Sequence, residues 1–368
     1  MGIKFDILAK DGQARAGVLQ TDHGEVHTPT MTVNFTLALL RSGLSPNQLQ
    51  ALGVEMILVN TLHTMMESRQ QAPDIHQQLG WSGPIFADSG GFQMVSLAKK
   101  MRVEKDGIKF TWDEQEYKIT SAEVVGWQKK MGVDIIMPLD RVWHLRVKNP
   151  LAYFLSVLTT EKWFNESTGI SPNIFYILQG GLSKWARILS LKFANQHLAA
   201  GIAGVAIGGL AFGEARPKMY RMIEFCTQRL PENKPRHLLG VGQPVDLLES
   251  IERGIDTFDC VSYTREARHG RLLTKHGYLR LKRSEYTNDT SMIEEGCDCP
   301  TCKAGISRAE LRAGMKSLDP DIRQRTLINL MLHNIRFTLH LMEYAREAIQ
   351  AGKFQEFKQE FLISFRAQ

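Results

Sequence analysis

Two carboxylates in this sequence stand directly after short apolar runs. Asp88 follows the run PIFA, and Asp259 follows the run TF. Paired carboxylates are a common catalytic arrangement, because one can act as a nucleophile while the other transfers a proton. In an arbitrary chain, however, an aspartate placed before Arg265 and Arg268 is more often a salt-bridge partner. An aspartate after a strand is also commonly a turn residue or a helix cap.

Three of the five cysteines lie close together in the pattern CDCPTC, at Cys297, Cys299 and Cys302. This clustering favours a metal site in a reducing compartment over a disulfide framework. A structural zinc ion needs four protein ligands, and His333, 31 residues after Cys302, is the economical fourth ligand. The alternative is a redox-active or incidental cysteine cluster. If the protein fills all four positions, the zinc ion is structural and the chemistry is left to the carboxylates.

Eight short apolar runs, each ending at a polar residue or a glycine, recur along the chain. They are apolar at successive positions, as parallel strands covered on both faces must be. Helical patterns lie between several of them, and this alternation predicts an α/β fold, a (β/α)8 TIM barrel. A doubly wound open sheet gives a similar rhythm with fewer strands. The active site of a barrel forms at the carboxyl ends of its strands, which would gather Asn60, Asp88, Asp140, Gln179, Gly208, Gly209, Gly242 and Asp259.

The barrel is expected to span residues 31–270 and to carry additions at both ends. Residues 1–30 contain period-two patches and turn signals, which predict N-terminal antiparallel hairpins that cap the bottom of the barrel. Residues 271–368 are predicted to hold a basic segment, the zinc-binding loop and C-terminal helices packed on the barrel.

Composition excludes some classes of protein and favours others. The chain of 368 residues is 43% hydrophobic and 23% charged, and it has no apolar run long enough to span a bilayer. Its start lacks the features of a secretory signal, so a cytoplasmic protein is expected. The net charge is +6, and seven Lys or Arg against two acidic residues lie between Thr257 and Arg283. That concentration of positive charge favours binding of a polyanion over a contribution to solubility alone.

Several motifs occur together along nearly the whole chain: DSGGFQ, ILQGG, GGLAFGE, FDCV, CDCPTC and HNIRF. With them the chain resembles the tRNA-guanine transglycosylases of the bacterial type, which exchange a guanine in the anticodon of certain tRNAs for a 7-deazaguanine. The resemblance implies a glycosyltransferase that acts at the wobble position of tRNAs with a GUN anticodon through a covalent ribosyl-aspartate intermediate. It also implies one structural Zn²⁺ per chain and a homodimer, with preQ1 as the favoured incoming base and queuine as the other candidate.

The same resemblance implies roles for individual residues. Asp259 would be the nucleophile on ribose C1′, and Asp88 the general acid and base. The residues that would bind the base are Phe92, Asp140, Gln179, Gly209, Leu210 and Leu239. The residues that would bind tRNA are Thr264, Arg265, Arg268 and Lys282. Glu214 matches the glutamate that lies beneath the base-binding loop in this family.

Two other classes of function are alternatives to this one. A non-catalytic or divergent tRNA-binding paralogue should have lost Asp88 or Asp259, and this chain has both. The second alternative is an unrelated barrel hydrolase, metal-dependent or glycosidic. A metal-dependent amidohydrolase should carry a His-x-His pair after its first strand, and the segment TVNFTL has none.

The chain also departs from the pattern of the family at four positions. Val142 stands where bacterial enzymes tend to carry Cys, which is typical of the queuine-using branch. That branch carries Gly at the position of Phe212, which is bulkier than the usual Val, so the two signals disagree about the incoming base. Arg141 replaces a Glu beside Asp140, and Tyr263 stands where Pro is expected.

Overall fold

The computed structural model describes residues 2–68, 71–91, 101–143 and 149–365. The strands in these ranges, in chain order, are β1 (Lys4–Asp11), β2 (Ala14–Thr21), β3 (Gly24–Thr28), β4 (Thr30–Asn34), β5 (Ile57–Val59), β6 (Ile85–Ala87), β7 (Met101–Val103), β8 (Gly107–Trp112), β9 (Gln115–Thr120), β10 (Phe175–Leu178), β11 (Gly204–Ile207), β12 (Arg236–Leu238), β13 (Thr257–Asp259), β14 (Arg271–Thr274) and β15 (Gly277–Arg280).

A parallel barrel occupies the centre of the molecule. Seven of its strands form one sheet in the order β10-β11-β12-β13-β4-β5-β6. Two isolated parallel bridges, Phe86 with Ile135 and Ile136 with Ile174, join the open edges of this sheet. The segment DIIMPLD, residues 134–140, therefore takes the place of the eighth strand. The predicted (β/α)8 barrel is confirmed.

The strands are buried on both faces because they separate two apolar layers. In β5, Leu58 belongs to a cluster inside the barrel, whereas its neighbours Ile57 and Val59 belong to the larger cluster between the sheet and the helices. In β6, Phe86 likewise points inward. This alternation follows from the period of two in a strand, and it explains why each run is apolar at every position.

Helices cover the outside of the barrel and form most of the C-terminal region. Their bounds are Leu37–Arg41, Pro46–Ala51, Thr61–Ser68, Ile75–Leu79, Ser121–Met131, Pro150–Asn165, Lys184–Ala199, Arg216–Thr227, Pro244–Glu252, Ser262–Arg268, Pro300–Lys303, Arg308–Met315, Pro320–Gln350 and Phe354–Phe365, with a 3₁₀ turn at Ser284–Tyr286. Among the described residues, none of the helices combines the length and the apolar character that crossing a lipid bilayer requires.

The N-terminal strands β1, β2 and β3 form a separate antiparallel sheet, as the turn signals predicted. A buried ion pair fastens this sheet to the barrel, since Arg15 Nε lies 2.7 Å and Nη2 lies 2.5 Å from the two oxygens of Asp256. Asp256 directly precedes β13. The sheet is therefore tied to the strand that ends in Asp259.

Three elements were not expected from the sequence. The strands β7, β8 and β9 form an antiparallel sheet between the third and fourth barrel segments, and helix Pro150–Asn165 follows the fourth. Helix Ser262–Arg268 begins shortly after β13. The long helix Pro320–Gln350 packs against this short helix, against β14 and against β4. It thereby fastens the C-terminal region to the side of the barrel.

Candidate active site and metal centre

The polar residues that end the barrel strands lie around one mouth. Asp88 directly follows β6, Gln179 follows β10, Gly208 follows β11, and Asp259 is the last residue of β13. All these strands are parallel neighbours in one closed sheet, so their carboxyl ends share a rim. We divide the mouth into a base arc, from Asp88 to Gly209, and a nucleophile arc, formed by β12 and β13, and we name both after the roles that the resemblance implies.

Asp140 is the centre of the base arc. Its side chain is only 1% exposed, and both of its oxygens accept hydrogen bonds, from Ser89 Oγ at 2.7 Å and from Gln179 Nε2 at 2.5 Å. Burial raises the pKa of Asp140 to about 6, although both hydrogen bonds act in the opposite direction. Asp140 and Gln179 were both predicted from the sequence to lie at the mouth, and in the structure their side chains are in direct contact.

Glycines allow the backbone to approach this pair. A Cβ atom on Gly91 would lie 2.0 Å from Asp140 Oδ1, and a Cβ atom on Gly208 would lie 2.7 Å from Gln179 Nε2. Gly209 has φ +67, and a Cβ atom there would lie 2.6 Å from Gln179 Oε1. Any side chain at these positions would displace Asp140 or Gln179, so close contact requires all three glycines, and the positive φ of Gly209 adds a conformational reason at that position.

A buried arginine holds the same loops from behind. Arg187, which is fully buried, donates to three backbone carbonyls: Leu178 O at 2.6 Å, Gly208 O at 2.7 Å and Gly181 O at 3.0 Å. These carbonyls belong to the ends of β10 and β11. Sequence reasoning missed Arg187, because it lies in a helical pattern where an arginine is normally a solvent-exposed residue.

The loop after Gly209 is shaped by Glu214. Its two carboxylate oxygens accept from the backbone N–H of Ala211 at 2.6 Å and of Phe212 at 2.9 Å. Ala211 has φ 63, a conformation that costs free energy for a residue with a side chain. Glu214 thus lies against the turn that carries Leu210 and Phe212, as its place in the motif predicted.

Hydrogen bonds fix the carboxylate of Asp88, which lies at the opposite end of the base arc from Gly209. Its Oδ2 accepts from Asn60 Nδ2 at 2.7 Å, and its Oδ1 accepts from the backbone N–H of Thr61 at 2.8 Å. Buried Gln128 donates to Asp88 O at 3.0 Å and to Thr61 Oγ1 at 3.0 Å. Gln128 was not named from the sequence, since one glutamine in an amphipathic helix carries no signal.

Asp259 occupies the nucleophile arc. Its side chain is 18% exposed, and its Oδ1 lies 3.0 Å from the backbone N–H of Gly240 and 3.1 Å from His237 Nε2. His237 was also not named from the sequence. The feature that would have marked it is the register of β12 with β13, which places His237 opposite Thr257.

Three further residues are expected to bind the base, and the structure describes two of them. Leu210 is buried, and Leu239 is half-buried with its Cδ1 3.3 Å from the position of a Cβ atom on Gly208. Both therefore lie beside the base arc. Phe92 lies outside the described residues.

Two of the departures from the family pattern have a structural explanation. Arg141 Nη1 donates to Thr159 Oγ1 at 3.2 Å, and its guanidinium lies 4.9 Å from the ring centroid of Trp143. Tyr263 is buried, and its hydroxyl donates to Thr32 O at 3.3 Å. Tyr263 therefore joins helix Ser262–Arg268 to β4 as a core residue. Nothing in the structure explains Val142.

A basic surface lies beside the nucleophile arc. Arg265, Arg268 and Lys282 are exposed, whereas Thr264 is buried and its hydroxyl donates to Val261 O at 3.3 Å. A cleft of about 500 Å³ is lined by His269, Gly270, Arg271, Arg280, Lys282 and Arg283. Among the described residues, no carboxylate lies within ion-pair distance of Arg280 or Lys282, so their charges are available to an anion.

The four residues expected to bind metal form one cluster. His333 Nδ1 lies 3.5 Å from Cys299 Sγ, 3.6 Å from Cys302 Sγ and 3.7 Å from Cys297 Sγ. A tetrahedral zinc ion with bonds of about 2.3 Å to sulfur and about 2.0 Å to nitrogen would separate those atoms by about 3.5 Å. The cluster could hold a metal ion, and its geometry fits zinc.

Surrounding hydrogen bonds orient the ligands of this cluster. His333 Nε2 lies 2.7 Å from Leu273 O, so that nitrogen carries the proton and Nδ1 has a free lone pair for a metal. Asn334, the next residue, accepts from Leu273 N at 2.9 Å and donates to Tyr263 O at 2.9 Å. One turn of the long helix therefore joins the metal cluster to the helix after β13.

The fold and the mouth together define the class of protein. It is a barrel enzyme with two aspartates, Asp88 and Asp259, and a buried Asp140–Gln179 pair at the strand ends, and with a Cys₃His cluster in its C-terminal region. The family model described as queuine tRNA-ribosyltransferase matches residues 10–367. The chain belongs to the queuine tRNA-ribosyltransferase family, and the resemblance in the motifs is confirmed.

Curated relatives agree with this assignment. The chain is 37% identical over 383 residues to a queuine tRNA-ribosyltransferase of Dictyoglomus turgidum, an alignment that covers 98% of this chain and 94% of that protein. A protein of the same name from Fusobacterium nucleatum is 36% identical over 375 residues, covering 98% of this chain and 97% of its own. A third, from Caldanaerobacter subterraneus, is 37% identical over 379 residues, covering 99% and 98%.

Proposed function

We propose that this protein is a tRNA-guanine transglycosylase that replaces guanine at the wobble position of GUN-anticodon tRNAs with a 7-deazaguanine. The observation that carries the proposal is the buried Asp140–Gln179 pair at the same mouth as Asp88 and Asp259. Membership of the queuine tRNA-ribosyltransferase family supports the substrate class.

The chemistry assigned to the two aspartates balances as a double displacement. An oxygen of Asp259 forms a bond to ribose C1′ while the bond from C1′ to the guanine nitrogen breaks, and Asp88 delivers a proton to the departing base. The incoming base then loses its ring proton to Asp88 and attacks the same carbon. The ester bond to Asp259 breaks, and both carboxylates return to their starting states.

Base recognition is assigned to the base arc. Besides the hydrogen bonds from Ser89 and Gln179, an ionised Asp140 accepts from the ring N–H and the amino group of a guanine-like edge. An analogue without those donors leaves the remaining lone pairs of the buried carboxylate without a donor. Gln179 and the backbone at Gly209 and Leu210 supply the remaining polar contacts. Leu239 packs beside the base, and Phe92 is proposed to stack on it from outside the described residues.

The basic surface is assigned to the tRNA backbone. Arg265, Arg268 and Lys282 are exposed, and phosphate contacts of this kind fix the position of the anticodon without reading its sequence. The anticodon loop is single-stranded, so turning the target nucleotide out of the loop and into the mouth costs little. For Thr264, which is buried, we propose support of this surface through its backbone.

The metal ion is proposed to be one structural Zn²⁺ per chain, held by Cys297, Cys299, Cys302 and His333. Metal analysis of the purified protein should find about one zinc ion per chain, and chelation should lower the melting temperature. Cys302→Ala should lose the metal, whereas the matched control Cys226→Ala, at a buried thiol outside the cluster, should retain it. A metal-free protein of unchanged stability would contradict the assignment.

We further propose a cytoplasmic homodimer, which sedimentation or light scattering of the purified protein would test. The incoming base is proposed to be preQ1, with queuine as the alternative. A competition among guanine, preQ1 and queuine for incorporation into one tRNA measures this directly. Preferential incorporation of queuine would refute the preference for preQ1.

Exchange of labelled guanine into a GUN-anticodon tRNA tests the function itself. The wild-type protein should incorporate label and form an adduct with tRNA that survives denaturation, and Asp259→Asn should lower exchange by at least about 1,000-fold while binding tRNA. A tRNA with adenine at the wobble position is the control and should take up no label. Exchange retained by Asp259→Asn would refute the nucleophile, and tRNA binding without exchange by the wild type would favour a non-catalytic paralogue.

A further inference from the structure

The carboxylate of Asp259 is held through one of its two oxygens. Oδ1 receives both contacts, from Gly240 N at 3.0 Å and from His237 Nε2 at 3.1 Å. Among the described residues, no other group donates a hydrogen bond to Asp259. The carboxylate is therefore oriented by Oδ1, and Oδ2 receives no hydrogen bond from the part of the chain that the structure describes.

The imidazole of His237 is itself fixed from three directions. It is fully buried, and it stacks on Phe86 with ring centroids 4.4 Å apart. Its Nδ1 lies 2.9 Å from Thr257 Oγ1. Thr257 and Asp259 are two residues apart on β13 and so face the same side of the sheet, with the ring of His237 between them.

These contacts select one tautomer of the ring. A carboxylate can only accept, so His237 Nε2 must carry the proton that points at Asp259. In the neutral ring Nδ1 is then an acceptor, and the hydroxyl of Thr257 donates to it. The hydroxyl thereby keeps the donor nitrogen directed at the nucleophile, in the same way that a third group orients the base of a catalytic triad.

We infer that His237 is a positioning residue for the nucleophile, which holds Asp259 through Oδ1 so that Oδ2 is the atom that attacks ribose C1′. This inference rests on the proposed transglycosylase function. The hydrogen bonds at Oδ1 do not need to break when the new bond forms at Oδ2. They also stabilise the carboxylate when the base displaces it from C1′, because the leaving oxygen shares its returning negative charge with Oδ1.

The substitutions that test this inference separate shape from hydrogen bonding. His237→Phe keeps the ring and its stacking on Phe86 but removes the donor. It should lower kcat for guanine exchange by about 10- to 100-fold and leave KM for guanine within about twofold of the wild type, since a hydrogen bond to a charged group is lost. Thr257→Val removes the hydroxyl that fixes the tautomer of His237, and it should lower kcat by about three- to tenfold.

A second pair keeps the test decisive if the phenylalanine variant does not fold. The amide nitrogen of glutamine reaches the place of Nε2, whereas that of asparagine reaches only the place of Nδ1. His237→Gln should therefore stay within about fivefold of the wild-type kcat, and His237→Asn should fall as far as the loss of the donor predicts, about 10-fold or more. His197→Phe, at a half-buried histidine on helix Lys184–Ala199, is the matched control and should leave kcat unchanged.

The outcomes distinguish this inference from the function on which it rests. A wild-type kcat in His237→Phe would overturn the positioning role, as would equal losses in the glutamine and asparagine variants, which would indicate packing alone. A loss in His197→Phe that matches His237→Phe would do the same. A wild-type protein that exchanges no guanine would overturn the proposed function itself.

Discussion

Two aspartates at the same mouth are held in opposite ways. Asp140 is 1% exposed and has a partner on each oxygen, whereas Asp259 is 18% exposed and has both of its partners on one oxygen. Burial raises the pKa of Asp140 to about 6. Recognition of a base requires a dry carboxylate whose hydrogen bonds the ligand must match, and attack on ribose requires an oxygen that no protein group occupies.

The two arcs also differ in what orients them. In the base arc, glycines let the backbone after β6 and after β11 approach Asp140 and Gln179, and buried Arg187 donates to backbone carbonyls at the ends of β10 and β11. In the nucleophile arc, Asp259 is held by the backbone N–H of Gly240 and by His237 on β12, whose ring also contacts Thr257 on the adjacent strand β13. Substitutions in the first arc should therefore change KM for the base, and substitutions in the second should change kcat.

The largest effect on base binding is expected from Asp140→Asn. The amide keeps the shape of the side chain but presents a donor to the donors of guanine, so KM for guanine should rise by about 100-fold with a much smaller change in kcat. Steady-state exchange kinetics at saturating tRNA measure both values. A variant whose kcat falls while KM stays constant would remove the distinction between the two arcs.

A smaller increase in KM is expected from Gly91→Ala. The new Cβ atom would lie 2.0 Å from Asp140 Oδ1, so the carboxylate must move. A displacement of this size should raise KM for guanine by about 30-fold. Gly126→Ala is the matched control, because nothing lies within 4 Å of its Cβ position and the residue is helical. The control should keep its activity and gain up to about 1 kcal/mol of stability.

Acid should weaken base binding because Asp140 takes up a proton. Its pKa lies near 6 in the folded protein, so kcat/KM for guanine should fall by about tenfold per pH unit below that value. The free energy of unfolding should not fall together with kcat/KM, because a carboxyl group with a raised pKa binds its proton more tightly in the folded protein than in the unfolded chain. The contribution of Asp140 to the free energy of unfolding is unfavourable above pH 6 and improves as the pH falls toward 4. Melting temperatures recorded across the same range separate the two effects, and Asp140→Asn should abolish the pH dependence of KM.

The smallest effect is expected at the basic surface, outside both arcs. Lys282→Ala should weaken tRNA binding by about threefold and reduce by about 1 the slope of log K against log salt concentration. Lys10→Ala is the control, since Lys10 lies on β1 and pairs with Glu232 at 2.7 Å. Binding titrations at several salt concentrations would measure both slopes. An unchanged slope for Lys282→Ala would exclude a phosphate contact at that residue.

Much of the barrel could be predicted because its strands are buried on both faces. A doubly covered strand must be apolar at every position, and the residue after it faces the rim, so Asp88, Asp140 and Gln179 were found by position alone. The sheet formed by β7, β8 and β9 was missed, since it interrupts the strand and helix rhythm. Tyr263, which stands where the family pattern has Pro, is a core residue, and the sequence did not predict that.

The sequence by itself determined the barrel, the spacing of the four residues of the metal cluster and the identity of the aspartates, because these depend on local periodicity and on motifs. Only the tertiary structure decided which aspartate is buried, which oxygen of Asp259 has no hydrogen bond from the described residues, and that His237 and Arg187 contact groups at the mouth. The physical reason is that solvation and hydrogen-bond geometry are set by groups from strands and helices far apart in the chain. A histidine in one strand acquires its role only when the neighbouring strand places a hydroxyl on one side of its ring and a carboxylate on the other.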